Sequence, residues 1–420
     1  MAENAPDSVD LLRELSQAAA HRGMGTPNER IAAQWLAAKL RAMGYEVAEQ
    51  RFRTTRDNLY LLPLQLFFCA MAAVSIALAT SRWWPAAVLL AYGIALVVAE
   101  TSGHAIDLSA MPRFPSRNVM TKPSGTAPCA VLPAHRTVFI TAHYDTQRGS
   151  FLFHPKFVDH LPLFFNVCYG SVFVAVAGVA MKAARFAAAG NVLWTALALC
   201  ACACAAYLAA EITGRYTPGA NDNGTGVALA LWLATEYAQR PDGFPADCEL
   251  RFLFTGSEEA GCRGMKAFLK SAGGQLDRRR VRFVNLDNLG AGMVTYLSGE
   301  GMLFYRRAGA TLLNIARAMR ETAARPIQEQ TNLLLPTDAL PASALGFEAI
   351  SFLGKDAAGR MGNYHWHTDT FDNVDAAFLR FQQEFFAEFV RRAMAAGPDQ
   401  QAATGNPVRA AMARTSSSGR

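Results

Sequence analysis

Thr137-Val138-Phe139-Ile140-Thr141-Ala142-His143-Tyr144-Asp145 is an apolar run that ends on an imidazole and, two residues later, a carboxylate. β-Branched and aromatic side chains fill it without alternation, the pattern of a strand covered on both faces. Residues 250–255, 282–286 and 349–353 repeat that pattern. The first two of these also lead within a few positions into acids, Glu258-Glu259 and Asp287. Helix-period segments fall between the runs, at 227–239, 265–272, 312–323 and 376–395. The alternation predicts an α/β fold with a mixed, mostly parallel central sheet and helices on both faces. Open sheets of this kind collect their ligand-binding groups at strand ends.

Upstream, residues 26–44 carry helix punctuation. Thr26 and Glu29 have capping-box spacing, Pro27 suits the first helical position and Gly44 can close the end. Ile31, Trp35, Leu36 and Leu40 recur on one face, which predicts that this side packs on a core. Residues 45–52 partly alternate, as an antiparallel or edge strand does.

Two insertions break the pattern. Residues 59–79 and 85–99 are apolar and separated by a turn containing Ser81-Arg82-Trp83-Trp84; residues 161–181 and 191–210 are apolar and separated by 182–190. A membrane-spanning helix needs about 20 mostly apolar residues, and tryptophans beside an arginine suit a membrane interface. Two transmembrane helical hairpins are therefore expected, at 59–99 and 161–210. Each returns the chain to the side it left, so 1–58, 100–160 and 211–396 can assemble into one domain. The polar stretch 397–420 reads as a disordered tail. Arg51, Arg53 and Arg56 ahead of the first run favour a cytoplasmic face for that domain, while Arg82, Lys182 and Arg185 in the hairpin turns argue the other way. The expectation is an integral membrane protein of the bacterial inner-membrane type, with its folded domain facing the cytoplasm and the lipid bilayer as a partner.

Composition agrees. The 420 residues are 51% hydrophobic and only 18% charged, which is apolar for a soluble enzyme. The net charge of +6 comes without a block of consecutive Lys or Arg, so no nucleic-acid partner is expected. The eight cysteines form no CxxC pair, and five of them (Cys69, Cys168, Cys200, Cys202, Cys204) lie in the apolar runs as small apolar residues. MAENAPDSVD at the start is polar and acidic, unlike a cleavable signal peptide.

The chemistry-bearing residues are His143, Asp145, Asp222, Glu258, Glu259, Asp287 and the pair His365 and His367. With a strand period of two, His143 and Asp145 face the same way. The first reads as a metal ligand and the second as the carboxylate that orients it. Asp222 stands among small residues in Gly219-Ala220-Asn221-Asp222-Asn223-Gly224-Thr225-Gly226 at a helix entrance, where a short carboxylate can bridge two cations. Adjacent Glu258 and Glu259 are costly to ionise together at a dry site unless cations compensate. One of them, Glu259, suits a metal and the other, Glu258, proton transfer. His365 and His367 compete for the last imidazole position. Imidazoles and carboxylates converging on one rim are the ingredients of a two-metal hydrolase.

Together these residues resemble the zinc aminopeptidase and glutaminyl cyclase superfamily, which also holds glutamate carboxypeptidases. The matching stretches are HYDT (143–146), GANDNGTG (219–226), GSEEAG (256–261), NLDNLG (285–290) and HTDTFDNVD (367–375), with TDALPASALGFEAISF (337–352) before the last. The resemblance implies a di-zinc exopeptidase with two Zn²⁺ per chain, inserted here in a membrane. It implies that His143 and Asp287 hold one zinc, that Glu259 and His367 hold the other, and that Asp222 bridges them. Glu258 is then the general base, Asp145 supports His143 as a catalytic residue, and the Asp222–Asn223 peptide is cis. His367 is preferred over His365 because the family's last ligand precedes Thr and an Asp-Thr segment. The implied partner is a peptide substrate with a free N-terminus. Two rivals stand beside this reading: a glutaminyl-cyclase-like single-zinc acyltransferase, and a non-catalytic membrane receptor or scaffold on the same fold. A transporter is disfavoured because ionisable residues are nearly absent from the apolar runs.

Overall fold

A computed structural model describes residues 6–56, 59–106, 111–122 and 136–397. Apart from Gly397, the expected disordered tail lies outside the described residues.

Helices α1 (Ser8–Ala18) and α2 (Pro27–Ala42) lead into strand β1 (Val47–Thr54). α2 begins as its capping residues dictate: Thr26 Oγ1 accepts the Glu29 N–H at 3.3 Å, and Glu29 reaches back to accept the Gly25 N–H at 2.7 Å. Its buried face consists of Ala32, Ala33, Leu36, Ala37 and Leu40. Ile31, expected inside, is 41% exposed. Small alanines let this helix approach the sheet closely, and that rotates Ile31 outward.

The hairpin helices α3 (Leu61–Ala79) and α4 (Trp84–Thr101) come next, followed by β2 (Phe114–Thr121), β3 (Arg136–His143) and β4 (Arg148–Gly149). After α5 (Leu161–Ala183), α6 (Ala189–Thr213) and β5 (Arg215–Tyr216), the chain alternates through α7 (Gly226–Gln239), β6 (Cys248–Thr255), α8 (Arg263–Ala272) and β7 (Val281–Leu286). It ends with β8 (Met293–Glu300), β9 (Arg306–Arg307), α9 (Ala310–Thr322), β10 (Ile327–Asn332), α10 (Ala339–Ala344), β11 (Glu348–Lys355) and α11 (Ala376–Ala395).

The central sheet has the order β1-β2-β6-β3-β7-β11-β8-β10, with β9 beside β8. Its middle, β6-β3-β7-β11, is parallel, as is the β8–β10 pair; the other pairings are antiparallel. The fold is α/β with a mixed sheet. Strands β2, β8 and β10 escaped the sequence reading because they lie off the parallel centre and carry many polar residues, as in Ile-Gln-Glu-Gln-Thr-Asn of β10.

Continuous apolarity at the centre follows from two cores. Val138, Ile140 and Ala142 of β3 face one core, shared with α1, α2, α7, α9 and α11. Phe139 faces the other, shared with α8 and α10, and stacks on Phe283 of β7 with ring centroids 5.1 Å apart. Each such buried side chain contributes about 1.5–3 kcal/mol relative to exposure. The rigid centre fixes where β3, β6 and β7 end.

α3, α4, α5 and α6 pack on one another as a bundle, and each is long and apolar enough to cross a membrane. Large apolar side chains also point away from it, with Phe173 75% exposed and Leu163 64% exposed. α4 and α6 run past the expected hairpin limits, to Thr101 and Thr213. Their added turns carry acids with partners in the sheet-bearing part of the chain. Glu100 pairs with Arg263 at 2.7 Å and Lys266 at 2.9 Å, and Glu211 pairs with Arg148. At the far end Lys182 donates to the carbonyls of Ala77 and Thr80, tying the two hairpin tips together.

Candidate metal centre

Four segments of the site leave the sheet or enter a helix at one rim. His143 is the last residue of β3 and Asp287 follows the last residue of β7. The turn after β6 carries Glu258 and Glu259, with Ser257 at φ 56° redirecting the chain. Asp222 lies in the kinked segment Ala220–Thr225 just before α7, and its peptide bond to Asn223 is cis. Gly219 enters this segment at φ 70°, where an added Cβ would sit 2.1 Å from Thr146 Cγ2. Gly226 leaves it, and a Cβ there would sit 2.3 Å from the Leu286 carbonyl. Only glycine allows both approaches.

Hydrogen bonds fix the segment. Asp369 accepts the backbone N–H groups of Asn221 at 2.6 Å and Asp222 at 3.0 Å. The Asn223 side chain donates to Leu286 O and accepts from the N–H groups of Gly226 and Asn288, joining the Asp222 and Asp287 loops. Buried Arg22 donates to the carbonyls of Tyr144, Pro218 and Gly219, binding the His143 loop to the same assembly.

The side chains converge. His143 Nε2 lies 3.3 Å from Asp222 Oδ1 and 3.4 Å from Asp287 Oδ1. On the other side of Asp222, His365 Nε2 lies 3.1 Å from Asp222 Oδ2 and 3.1 Å from Glu259 Oε2. One ligand atom each from His143, Asp222 and Glu259 falls within 4.8 Å of the others. Glu258 lines a cavity beside Glu259 and His365 and accepts the Cys262 thiol at 3.4 Å.

These residues fit divalent metal ions. Asp222 Oδ2, Glu259 Oε1 and His365 Nε2 are buried without a hydrogen-bond partner, although His365 and Asp222 are close. Their short separations are not aligned as hydrogen bonds, so buried polar atoms crowd together unsatisfied. That arrangement is costly unless a cation stands between them. The ionisation of the site says the same. Burial, with repulsion from Asp338, Glu259 and Asp287, pushes Glu258 well above the carboxylate range. Burial and Asp222 raise Glu259 to about 7 against the pull of His365. Burial depresses His365, but Glu259 and Asp222 outweigh it and carry it to about 10. Positive charge is in short supply here, and nitrogen and carboxylate donors of this kind suit zinc.

The structure brings together His143, Asp145, Asp222, Glu258, Glu259 and Asp287 of the expected residues, and replaces His367. His367 is exposed, its ring against Trp366 at 4.6 Å, while His365 is 3% exposed and points at Asp222 and Glu259. The physical reason is the short turn ahead of Asp369: Asn363 and His365 both take positive φ, which swings His365 inward. His365 is held there between Tyr364, with ring centroids 3.8 Å apart, and Phe153 at 4.6 Å. Asp145 faces His143 as expected and has a second task. It lies 3.7 Å from His143 Nδ1, and its oxygens also accept the N–H groups of Glu258 at 3.0 Å and Glu259 at 3.1 Å. It clamps the glutamate turn as well as facing the imidazole.

Three residues were not singled out by sequence: Gln147, which donates to Glu259; Asp338, which accepts from Thr255; and Asp369. The last two lie inside stretches whose pattern was noted, but an acid holding a loop has no spacing signature of its own.

Residues 207–390 match peptidase family M28. No curated protein sequence matches the chain. Its fold is similar to that of the aminopeptidase from Aneurinibacillus sp. strain AM-1, at 16% identity over 92% of this chain and 93% of that one, TM-score 0.51. It is also similar to a zinc aminopeptidase from Bacillus subtilis, at 15% identity over 92% and 94%, TM-score 0.52. Porphyromonas gingivalis glutaminyl cyclase is as near in fold, at 13% identity over 91% and 96%, TM-score 0.52. The class is thus the zinc-exopeptidase-like α/β fold. The family match over residues 207–390 and the shared fold agree with the expected resemblance to the zinc aminopeptidase and glutaminyl cyclase superfamily.

Proposed function

We propose that this chain is a membrane-embedded di-zinc exopeptidase, most simply an aminopeptidase. The observation that supports it best is the convergence of two imidazoles and three carboxylates, among which the buried Asp222 Oδ2, Glu259 Oε1 and His365 Nε2 lack hydrogen-bond partners. His143 and Asp287 would hold one ion, Glu259 and His365 the other, and Asp222 would stand between them. Zinc bound there supplies the positive charge that polarises a scissile carbonyl and acidifies water. Glu258 takes a proton from the attacking water onto a carboxylate oxygen. It returns that proton to the leaving nitrogen as the carbon–nitrogen bond breaks. Asp145 holds the Glu258-Glu259 turn through two backbone amides, so the base and the ligand keep their spacing. Asp369 does the same for Asp222.

Glutaminyl-cyclase-like chemistry on one zinc is the second reading, favoured by that fold's equal likeness. An assay of aminoacyl amides, dipeptides and N-terminal Gln peptides, with zinc and with chelator, separates the two. Hydrolysis with two zinc ions per chain supports the proposal; cyclisation of Gln peptides with one zinc overturns it.

A further inference from the structure

The cavity that contains Glu258, Glu259 and His365 does not stop at the sheet rim. It holds about 140 Å³ and continues between the hairpin helices, with room for on the order of ten waters. Its far wall is mostly apolar, apart from two tyrosine hydroxyls, and comes from all four helices: Leu62 of α3, Val97 of α4, Phe165 and Tyr169 of α5, and Tyr207 of α6. Tyr169 lies eight residues into α5, so the chamber descends about 12 Å, two turns, into the bundle. Glu100 and Lys266 also line it, but they are paired with each other at 2.9 Å. What remains for a ligand is a deep apolar slot with the metal-binding groups at its mouth.

We propose that the helix bundle forms the side-chain pocket of the enzyme, and that the substrates are peptides whose terminal residue is large and apolar. This rests on the exopeptidase reading above. The side chain next to the cleaved bond is the one that can enter a slot opening at Glu258 and Glu259. Large aromatic or branched side chains gain most from leaving water there. The insertions are then specificity elements as well as anchors: the helices expected to sit in the bilayer also select the substrate.

The test uses the full chain, zinc-loaded, in lipid nanodiscs, with Ala-, Leu-, Phe-, Lys- and Glu-p-nitroanilides and a long-chain N-acyl amino acid. The unaltered protein should cleave Leu and Phe substrates at least about tenfold faster than Ala in kcat/KM, and the charged ones poorly. Leu62→Trp should lower the Phe rate by about tenfold and change the Ala rate by less than about twofold. If that variant does not fold, Phe165→Ala should shift preference toward a Trp substrate. Phe173→Ala, on the outer face, should change nothing. Equal rates for Ala, Leu and Phe, or preference for Lys, Glu or the N-acyl compound, overturn the pocket but leave the peptidase reading standing. Zinc-loaded protein that cleaves none of the substrates overturns both.

Discussion

The sheet and the helix bundle of this chain solve opposite problems. Around the sheet, acids and imidazoles are buried and the surface is polar; Asp222, Glu258 and His365 are all under 10% exposed. In the bundle, the inside is filled with apolar residues and the outside also carries them, with Phe173 and Leu163 mostly exposed. A region that buries charge needs compensating charge, and a region that exposes phenylalanine needs a solvent other than water. The first requirement points to cations, the second to lipid. They meet at the cavity between the two regions.

The largest expected effect breaks the buried-charge side. Glu258→Gln keeps the shape and removes the base, and should lower kcat by about 10²–10⁴-fold with zinc content unchanged. An activity within about threefold of the parent protein would remove Glu258 from the chemistry. The next separates the two histidines. His365→Ala should weaken zinc binding by at least about tenfold, measured by competition with a chelator, whereas His367→Ala should bind zinc normally. The reverse ranking would restore His367. On the lipid side, Phe173→Arg should cost about 2.5–3.5 kcal/mol of insertion, read as a smaller membrane-extracted fraction. A soluble, folded, active variant would mean that the outward face meets water.

The smallest effect concerns pH and belongs to the sheet alone. Burial, with Asp145 adding, lifts Glu29 to about 8 against the hydrogen bonds of Ser116, Gly25 and Ser257. The folded chain therefore keeps a proton that the unfolded chain gives up near 4.5. This group's contribution is full below that value and declines as pH rises toward 8. Glu29→Gln should flatten that decline in amide-exchange protection of α2, while α5 and α6 show no change.

Legibility in the sequence followed the same division. The parallel strands and the hairpins were readable because each is apolar over its whole length, for different reasons: two protein cores in one case, expected lipid in the other. His143, Asp222, Glu259 and Asp287 were readable because strand ends and glycines flank them. His365 was not separable from His367, since the two are two positions apart and the choice depends on positive φ values in the turn that carries them. Edge strands such as β10 were invisible because half-exposed strands keep polar side chains. The pocket was equally hidden, being made by residues from six helices and several loops that only the fold brings together.

The most direct measurement is an anomalous-scattering map at the zinc edge from crystals of the full chain. Two peaks flanking the Asp222 carboxylate, one beside His143 and Asp287 and the other beside Glu259 and His365, are the predicted result. A map with no peak there, or with zinc held by His367, would contradict the account.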